Sequence, residues 1–338
     1  MRFKKKKKKK LVIWFIIILI GIWYFKFASH HPHKIDLQAK DDFWGVTYSP
    51  KFAYELGLDW EETYLAMIDD IKVRNVRLPI YWDQIEVEEG QYDFSVYDYI
   101  LDEGAKRDVE FVVNVGWRLP RWPECHTPQW AKGEDLDIIK AKSLSMIKLV
   151  VERYKDRPEI VAWQVENEPL LDWFGECPEG DEDLLKQEVA FVKDMDDRPI
   201  IISASGELSG WHKEVEIADT FATTMYRVVW NPWFKYFRYP LPAWFYKLKL
   251  DLAGASPEQA IVSELQAEPW VPNGTLDNIT FDEYDKSFSP EQFKANLQFA
   301  INVDFKQTYL WGIEWWYLQK EKGDTRYWDI ARDIFARQ

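Results

Sequence analysis

The chain has 338 residues, 47% of them hydrophobic and 30% charged, which fits one large globular domain or two small ones and argues against a disordered or collagen-like chain. Lys and Arg number 43 against 57 Asp and Glu, a net charge of −14, and an acidic body repels phosphates and so argues against nucleic-acid partners. Two cysteines exclude a disulfide scaffold and a four-cysteine zinc site, while 19 Trp, 17 Tyr and 20 Phe supply flat rings for a core or for flat apolar ligand faces.

Positive charge is concentrated at the N-terminus, in Arg2 and the run Lys4 to Lys10 (residues 1–10). An uncharged run follows, residues 11–25, then Lys26, Phe27, Ala28 and Ser29. Lys26 can snorkel, so 11–29 reaches the length of a membrane span. The residue pairs that a signal peptidase would read, Lys26/Ala28 and Phe27/Ser29, each start with a bulky member, which favours an uncleaved signal-anchor over a cleaved signal. The positive-inside rule then keeps the lysines cytoplasmic and the rest of the chain extracytoplasmic. Residues 30–41, with His30, His31 and His33, read as a solvated linker rather than a metal site.

From residue 42 to the end, short β-rich runs alternate with amphipathic helical stretches. Strands are expected at 43–48, 74–79, 110–116, 160–166, 199–205, 219–226, 260–264 and 307–314, and helices at 60–72, 96–106, 136–154, 182–194, 208–217, 242–253, 290–302 and 325–336. Eight such units predict an α/β fold, a (β/α)8 TIM barrel without a second domain. Strand parity puts Asn75 and Arg77 inward on the second strand, and Ala162, Gln164 and Glu166 on the fourth. It puts Ala222, Thr224 and Tyr226 inward on the sixth, Val262 and Glu264 on the seventh, and Gly312 and Glu314 on the eighth. Polar groups thus gather at the strands' C-terminal ends, where barrel enzymes keep their chemistry.

Two motifs stand out: Trp163-Gln164-Val165-Glu166-Asn167-Glu168-Pro169 ending the fourth strand, and Val262-Ser263-Glu264-Leu265 ending the seventh. On these residues the chain resembles the clan of retaining (β/α)8 glycoside hydrolases, which includes cellulases, xylanases, mannanases and β-galactosidases. The resemblance implies that Glu168 is the acid/base, preceded by Asn167, and that Glu264 is the nucleophile. Cleaving an acetal needs a proton on the leaving oxygen and a carboxylate facing the developing oxocarbenium ion, so a pair of carboxyls is what the chemistry requires. The expected activity is a membrane-anchored glycosidase cleaving O-glycosidic β-bonds of oligo- or polysaccharides, with no metal and no organic cofactor. The alternatives are a transglycosylase on the same site and a non-catalytic carbohydrate-binding pseudoenzyme.

Other residues carry weaker signals. Arg77 would hold the nucleophile ionised, or form a structural ion pair. Asn167 would bond the sugar 2-hydroxyl. Tyr226 resembles the clan's tyrosine that bonds the nucleophile, or is a plain rim aromatic. Trp316 shares parity with Glu314 and is the expected stacking platform, with Trp315 its competitor. Glu166 is expected inside the barrel, and Glu268 four residues beyond the strand-seven site; neither is assigned catalysis. His126, after the third strand, is an active-site histidine or a packed loop residue. The aromatic and basic stretch 227–250 could pack on the barrel, wall a substrate groove or dip into a membrane interface. Cys125 and Cys177 follow strands three and four at one barrel face, so a disulfide between them is expected.

Overall fold

Runs rich in Val, Ile, Thr and aromatic residues form eight parallel strands in the computed structural model, which describes residues 35–272 and 276–337 together with Trp14, Leu19 and Gly21. The strands are β1 (Trp44–Thr47), β2 (Asn75–Pro79), β3 (Glu110–Val115), β4 (Ile160–Val165), β5 (Ile200–Ala204) and β6 (Thr220–Met225). A hairpin follows, β7 (Val228–Asn231) and β8 (Lys235–Arg238), and then β9 (Ala260–Gln266) and β10 (Thr308–Trp311). They close as β1-β10-β9-β6-β5-β4-β3-β2, with β7 and β8 outside as an antiparallel pair. Helices on the outside connect them, the longest being Leu136–Tyr154 and Pro290–Val303. The chain is a (β/α)8 barrel.

Local chemistry sets the helix starts. Asp59 accepts from the amides of Glu61 and Glu62 at 2.8 and 3.0 Å, and Ser289 caps a helix whose first residue is Pro290. Ser49 and Pro50 do the same for Pro50–Glu55, a helix that periodicity misses because it has only six residues.

Within the barrel, Val112, Ala162, Ile201, Ala222, Ile261 and Tyr309 make an inner apolar layer. Above it lie the polar side chains of Thr47, Arg77, Gln164, Ser203, Thr224 and Glu264, all buried. Parity alone does not produce that upper layer. Thr223 pairs with Val262 but Thr224 pairs with Glu264, so Ser263 is an extra residue in β9. The same shift occurs against β10, where Thr308 pairs with Val262 and Leu310 with Leu265. This bulge turns Glu264 inward while Val262, expected inward, packs in the outer core beside the helices.

The eighth unit differs from the sequence reading. Its strand ends at Trp311, and Ile313–Glu321 is a helix. Gly312 makes the turn at φ 136°, and a Cβ there would lie 2.6 Å from Cβ of Glu268. Glu314 is therefore a helical residue, and Trp316 and Trp315 are wholly buried in the outer core rather than facing a cleft. The Trp316 indole donates to the Ala267 carbonyl at 2.6 Å and its ring lies 5.1 Å from Phe293. Trp315 sits among Tyr284, Phe288 and Tyr327.

Among the described residues no helix is long and apolar enough to cross a membrane. The expected span 11–29 lies outside the described residues apart from Trp14, Leu19 and Gly21, as do the lysine run and His30, His31 and His33.

Candidate active site

At the C-terminal end of the barrel, Arg77 is the hub. It is fully buried on β2 and spends its donors on four partners. Nε donates to Gln164 Oε1 at 2.7 Å, Nη1 to Glu264 Oε1 at 3.0 Å and weakly to Thr47 Oγ1 at 3.4 Å, and Nη2 to Asn167 Oδ1 at 2.9 Å. One planar guanidinium therefore fixes side chains from β4, its following loop and β9 in a common frame. The Tyr226 hydroxyl donates to the second oxygen of Glu264 at 2.9 Å. Burial, with the Glu264 charge next, pushes the Tyr226 phenol well above its ordinary range, so it stays a donor.

Glu168 has different surroundings. Its backbone is left-handed, φ 45°, and its amide donates to Ser203 Oγ on β5 at 2.9 Å. Its Oε1 accepts from Thr224 Oγ1 at 2.9 Å. Burial pushes the Glu168 carboxyl up to about 8, and the charge of Glu264 adds to the rise. The two carboxyls are thus placed by unlike means: one anchored by an arginine and a phenol, the other held by a neutral hydroxyl in a desolvated pocket.

Asn167 precedes Glu168 in the chain and shares the Arg77 guanidinium with Glu264. Its Oδ1 also accepts from Ser203 Oγ at 3.2 Å and its Nδ2 donates to Glu124 Oε2 at 3.3 Å. Sequence reasoning does not single out Ser203 or Glu124. Ser203 has a legible signal, a polar residue on a β strand among apolar neighbours; Glu124 stands on an irregular loop and has none.

Of these groups Glu124, Asn167, Glu168, Thr224, Tyr226 and Glu264 line a cleft of about 910 Å³. Its apolar walls include Trp122, Trp173, Phe174, Trp230, Trp270 and Trp311. The platform expected at Trp316 is absent, and Trp311, at the end of β10, is the aromatic that barrel strand eight does present to the cleft. The Arg121 guanidinium lies 4.0 Å over the Trp311 ring and 3.4 Å from Phe52. It is paired with Glu268 and, at 3.3 Å, with Glu314.

The remaining sequence candidates have structural contacts. Glu166 is not inside the barrel: at φ 58° it turns out and accepts from the amides of Trp117 and Arg118 at 2.7 and 2.6 Å, clamping the loop after β3. His126 is buried against Tyr81, with Lys51 Nζ 2.9 Å from Nδ1 and the Leu119 carbonyl 3.3 Å from Nε2. Cys125 and Cys177 form a disulfide with Cα atoms 5.3 Å apart, joining the loops after β3 and β4. The stretch 227–250 divides three ways. Val229, Trp230, Asn231 and Tyr239 wall the cleft, the helix Ala243–Ala253 packs on Pro290–Val303, and the hairpin tip exposes Trp233 and Phe234. Among the described residues no cluster of three or more His, Cys, Asp or Glu side chains could hold a metal ion.

Comparison with known proteins follows the same outline. The sequence model of the glycoside hydrolase 42 family, described as beta-galactosidase, matches residues 47–182, less than half of the chain. Beta-galactosidase BgaA of Clostridium cellulovorans is 24% identical over 189 residues, which is 49% of this chain and 28% of that protein. Among solved structures, Gan42B, a GH42 beta-galactosidase from G. stearothermophilus, aligns with TM-score 0.56 and 11% identity over 88% of this chain and 56% of that one. GH5_18 from Streptomyces cattleya aligns with TM-score 0.54 and 13% identity over 81% and 71%. This chain therefore spans little more than a quarter of the curated relative and about half of Gan42B. In fold, and in the segment 47–182 that carries Asn167 and Glu168, the chain resembles the (β/α)8-barrel glycoside hydrolases.

Proposed function

We propose that the chain is a retaining β-glycosidase, with Glu168 as acid/base and Glu264 as nucleophile. The observation that carries this reading is the contrast between the two carboxyls. Glu168, pushed up to about 8, holds its proton at neutral pH, while Glu264 is fixed at both oxygens by Arg77 and Tyr226. In the first step Glu264 attacks the anomeric carbon, and Glu168 gives its proton to the departing glycosidic oxygen. The product is a glycosyl ester on Glu264 and a free alcohol. In the second step Glu168, now a carboxylate, takes a proton from water; the water oxygen attacks the same carbon and frees Glu264. Two inversions give net retention.

β-Galactosides are the first substrates to try, supported by the family match over 47–182 and by the Clostridium relative. The aromatic cleft walls suit the apolar faces of sugar rings. The apolar run after the lysine block supports a membrane-anchored chain with the barrel outside the cytoplasm. The Cys125–Cys177 disulfide is in keeping with that compartment.

The test is hydrolysis of a panel of aryl and natural β-glycosides by the purified full chain, alongside Glu168→Ala and Glu264→Ala. Turnover of one or more members by the parent, falling by several orders of magnitude in each variant on natural glycosides, is the expected result. Unchanged hydrolysis in either variant contradicts the assignment.

A further inference from the structure

Other acids besides Glu168 and Glu264 line the cleft, and among them Glu124 takes no part in the two-step reaction yet is linked to both. Glu124 stands on the loop after β3, and its Oε2 accepts from Asn167 Nδ2 at 3.3 Å and lies 4.0 Å from Arg118 Nε. Among the described residues no hydrogen bond engages its other oxygen. Arg77 links Glu264 to Asn167, and Asn167 links onward to Glu124, so one line of contacts runs from the nucleophile to the Glu124 carboxyl.

The position is built with care. Glu124 holds a left-handed backbone, φ 73°, as does Arg121 at φ 86°, a region that non-glycine residues enter only where their surroundings hold them. Its amide donates to the Arg121 carbonyl at 2.8 Å, and its carbonyl accepts from the Leu119 amide at 2.9 Å. The next residue, Cys125, is bound to Cys177. Gly175 approaches so closely that a Cβ there would lie 2.7 Å from Cβ of Glu124. A carboxyl needed only for solubility would not be buried and pinned from both loops.

Its charge state suits a ligand contact. Burial, then the charges of Glu168 and Glu264, push the carboxyl well above the usual carboxylate range, against the smaller opposing effects of Arg118 and the Asn167 amide. A neutral carboxyl both donates and accepts, as a sugar hydroxyl does.

We propose that Glu124 is a substrate-binding, specificity-determining residue whose carboxyl takes a hydroxyl on the C2–C3 side of the sugar attacked by Glu264. The inference rests on the glycosidase reading of the site. Glu264 attacks carbon 1, and Asn167 and then Glu124 follow from it along the contacts that start at Arg77, so Glu124 would meet the ring a step away from the reacting carbon. The hydroxyl next to carbon 1 is that on carbon 2, and the one on carbon 3 follows on the same side of the ring.

The experiment compares the parent, Glu124→Ala and Glu124→Gln on an aryl glycoside of the preferred sugar and on its 2-, 3-, 4- and 6-deoxy analogues. Glu124→Ala is expected to lose about tenfold to a hundredfold in kcat/KM on the full sugar. On the 2- or the 3-deoxy analogue it should lose little further, since the hydroxyl it served is already gone. Glu124→Gln, which keeps a donor and an acceptor, should recover most of the loss. An equal loss on every substrate, deoxy forms included, overturns the proposal and leaves Glu124 as a prop for Asn167; coupling confined to position 4 or 6 overturns it as well. Should Glu124→Ala not fold, Glu124→Asp, which withdraws the carboxyl by one methylene, must show the same selective loss. If the parent turns over no glycoside, the glycosidase reading fails by itself. Calorimetric titration of galactose, glucose and mannose, and of the 2- and 3-deoxy forms of whichever binds, then decides on Glu124. Selective weakening by Glu124→Ala upholds the role; unchanged or undetectable binding overturns it.

Discussion

Two glutamates on one barrel rim acquire different chemistry from their neighbours. Glu264 faces a guanidinium and a phenol, whereas Glu168 faces Thr224 and a desolvated pocket that pushes it up to about 8. In the proposed reaction Glu168 must carry its proton when substrate binds, so kcat/KM should fall as pH rises through about 8. Glu168→Gln on an aryl glycoside with a good leaving group should lose that alkaline limb; a limb that persists in the variant would assign it to another group. Arg77, Asn167, Glu168, Tyr226 and Glu264 are legible as a set because the motifs and the strand ends locate them, while the inward turn of Glu264 depends on the β9 bulge that parity does not show. Trp316 was misread for a local reason. Its β-favouring neighbours hide the turn at Gly312, and the chain enters a helix there whose two tryptophans face the core. Glu124 carries no periodic signal, and only its contacts reveal it.

At the scale of elements, all eight barrel strands and eight of the flanking helices were legible from alternating apolar patterns. The elements that shape the cleft were not. The β7–β8 hairpin lies inside a stretch too uniformly aromatic to show alternation, and Pro50–Glu55 is too short to show a helical period. The β9 bulge is hidden because an extra residue leaves no mark in composition, yet it decides which way Glu264 points. The loops after β3 and β4 hold Arg118, Glu124 and Asn167, and the disulfide crosses 52 residues to join them. Removing that cross-link should cost about 2–4 kcal/mol of stability. Cys125→Ser with Cys177→Ser should therefore melt earlier in a calorimeter and bind sugar more weakly, while retaining the pH limb set by Glu168. Melting equal to the parent's would mean that the loops are held by their hydrogen bonds alone.

The whole molecule buries more carboxyls than the reaction uses. Burial pushes Glu166, Glu207 and Glu314 up to about 7, and Glu168 up to about 8. A group whose folded pKa is raised contributes stability that is full below its unfolded value and is lost as pH rises through the folded one. Lowered acids act oppositely: Asp83, held at about 2 by His126 and Lys51 against its burial, loses its contribution only near that pH. Lys249, lowered by burial to about 8, gives back some stability above that pH. The raised glutamates lose their contribution between the ordinary value of 4.5 and about 7 to 8, so the melting temperature should be highest near pH 5 and fall by several degrees between pH 5 and 8; a flat profile over that window would show that these carboxyls are not proton-bound in the fold. Barrel closure, in turn, is what sets β4 and β9 across one mouth, and the central claim is that their glutamates act as acid/base and nucleophile. The direct measurement is the configuration of the glycosyl azide formed when azide is added to each alanine variant with an activated aryl glycoside. Glu168→Ala still forms the ester on Glu264, so azide should displace it and give the retained product. Glu264→Ala leaves azide to attack from the vacated side, so its product should be inverted. The opposite pairing of products, or full hydrolysis by either variant without azide, would contradict the account.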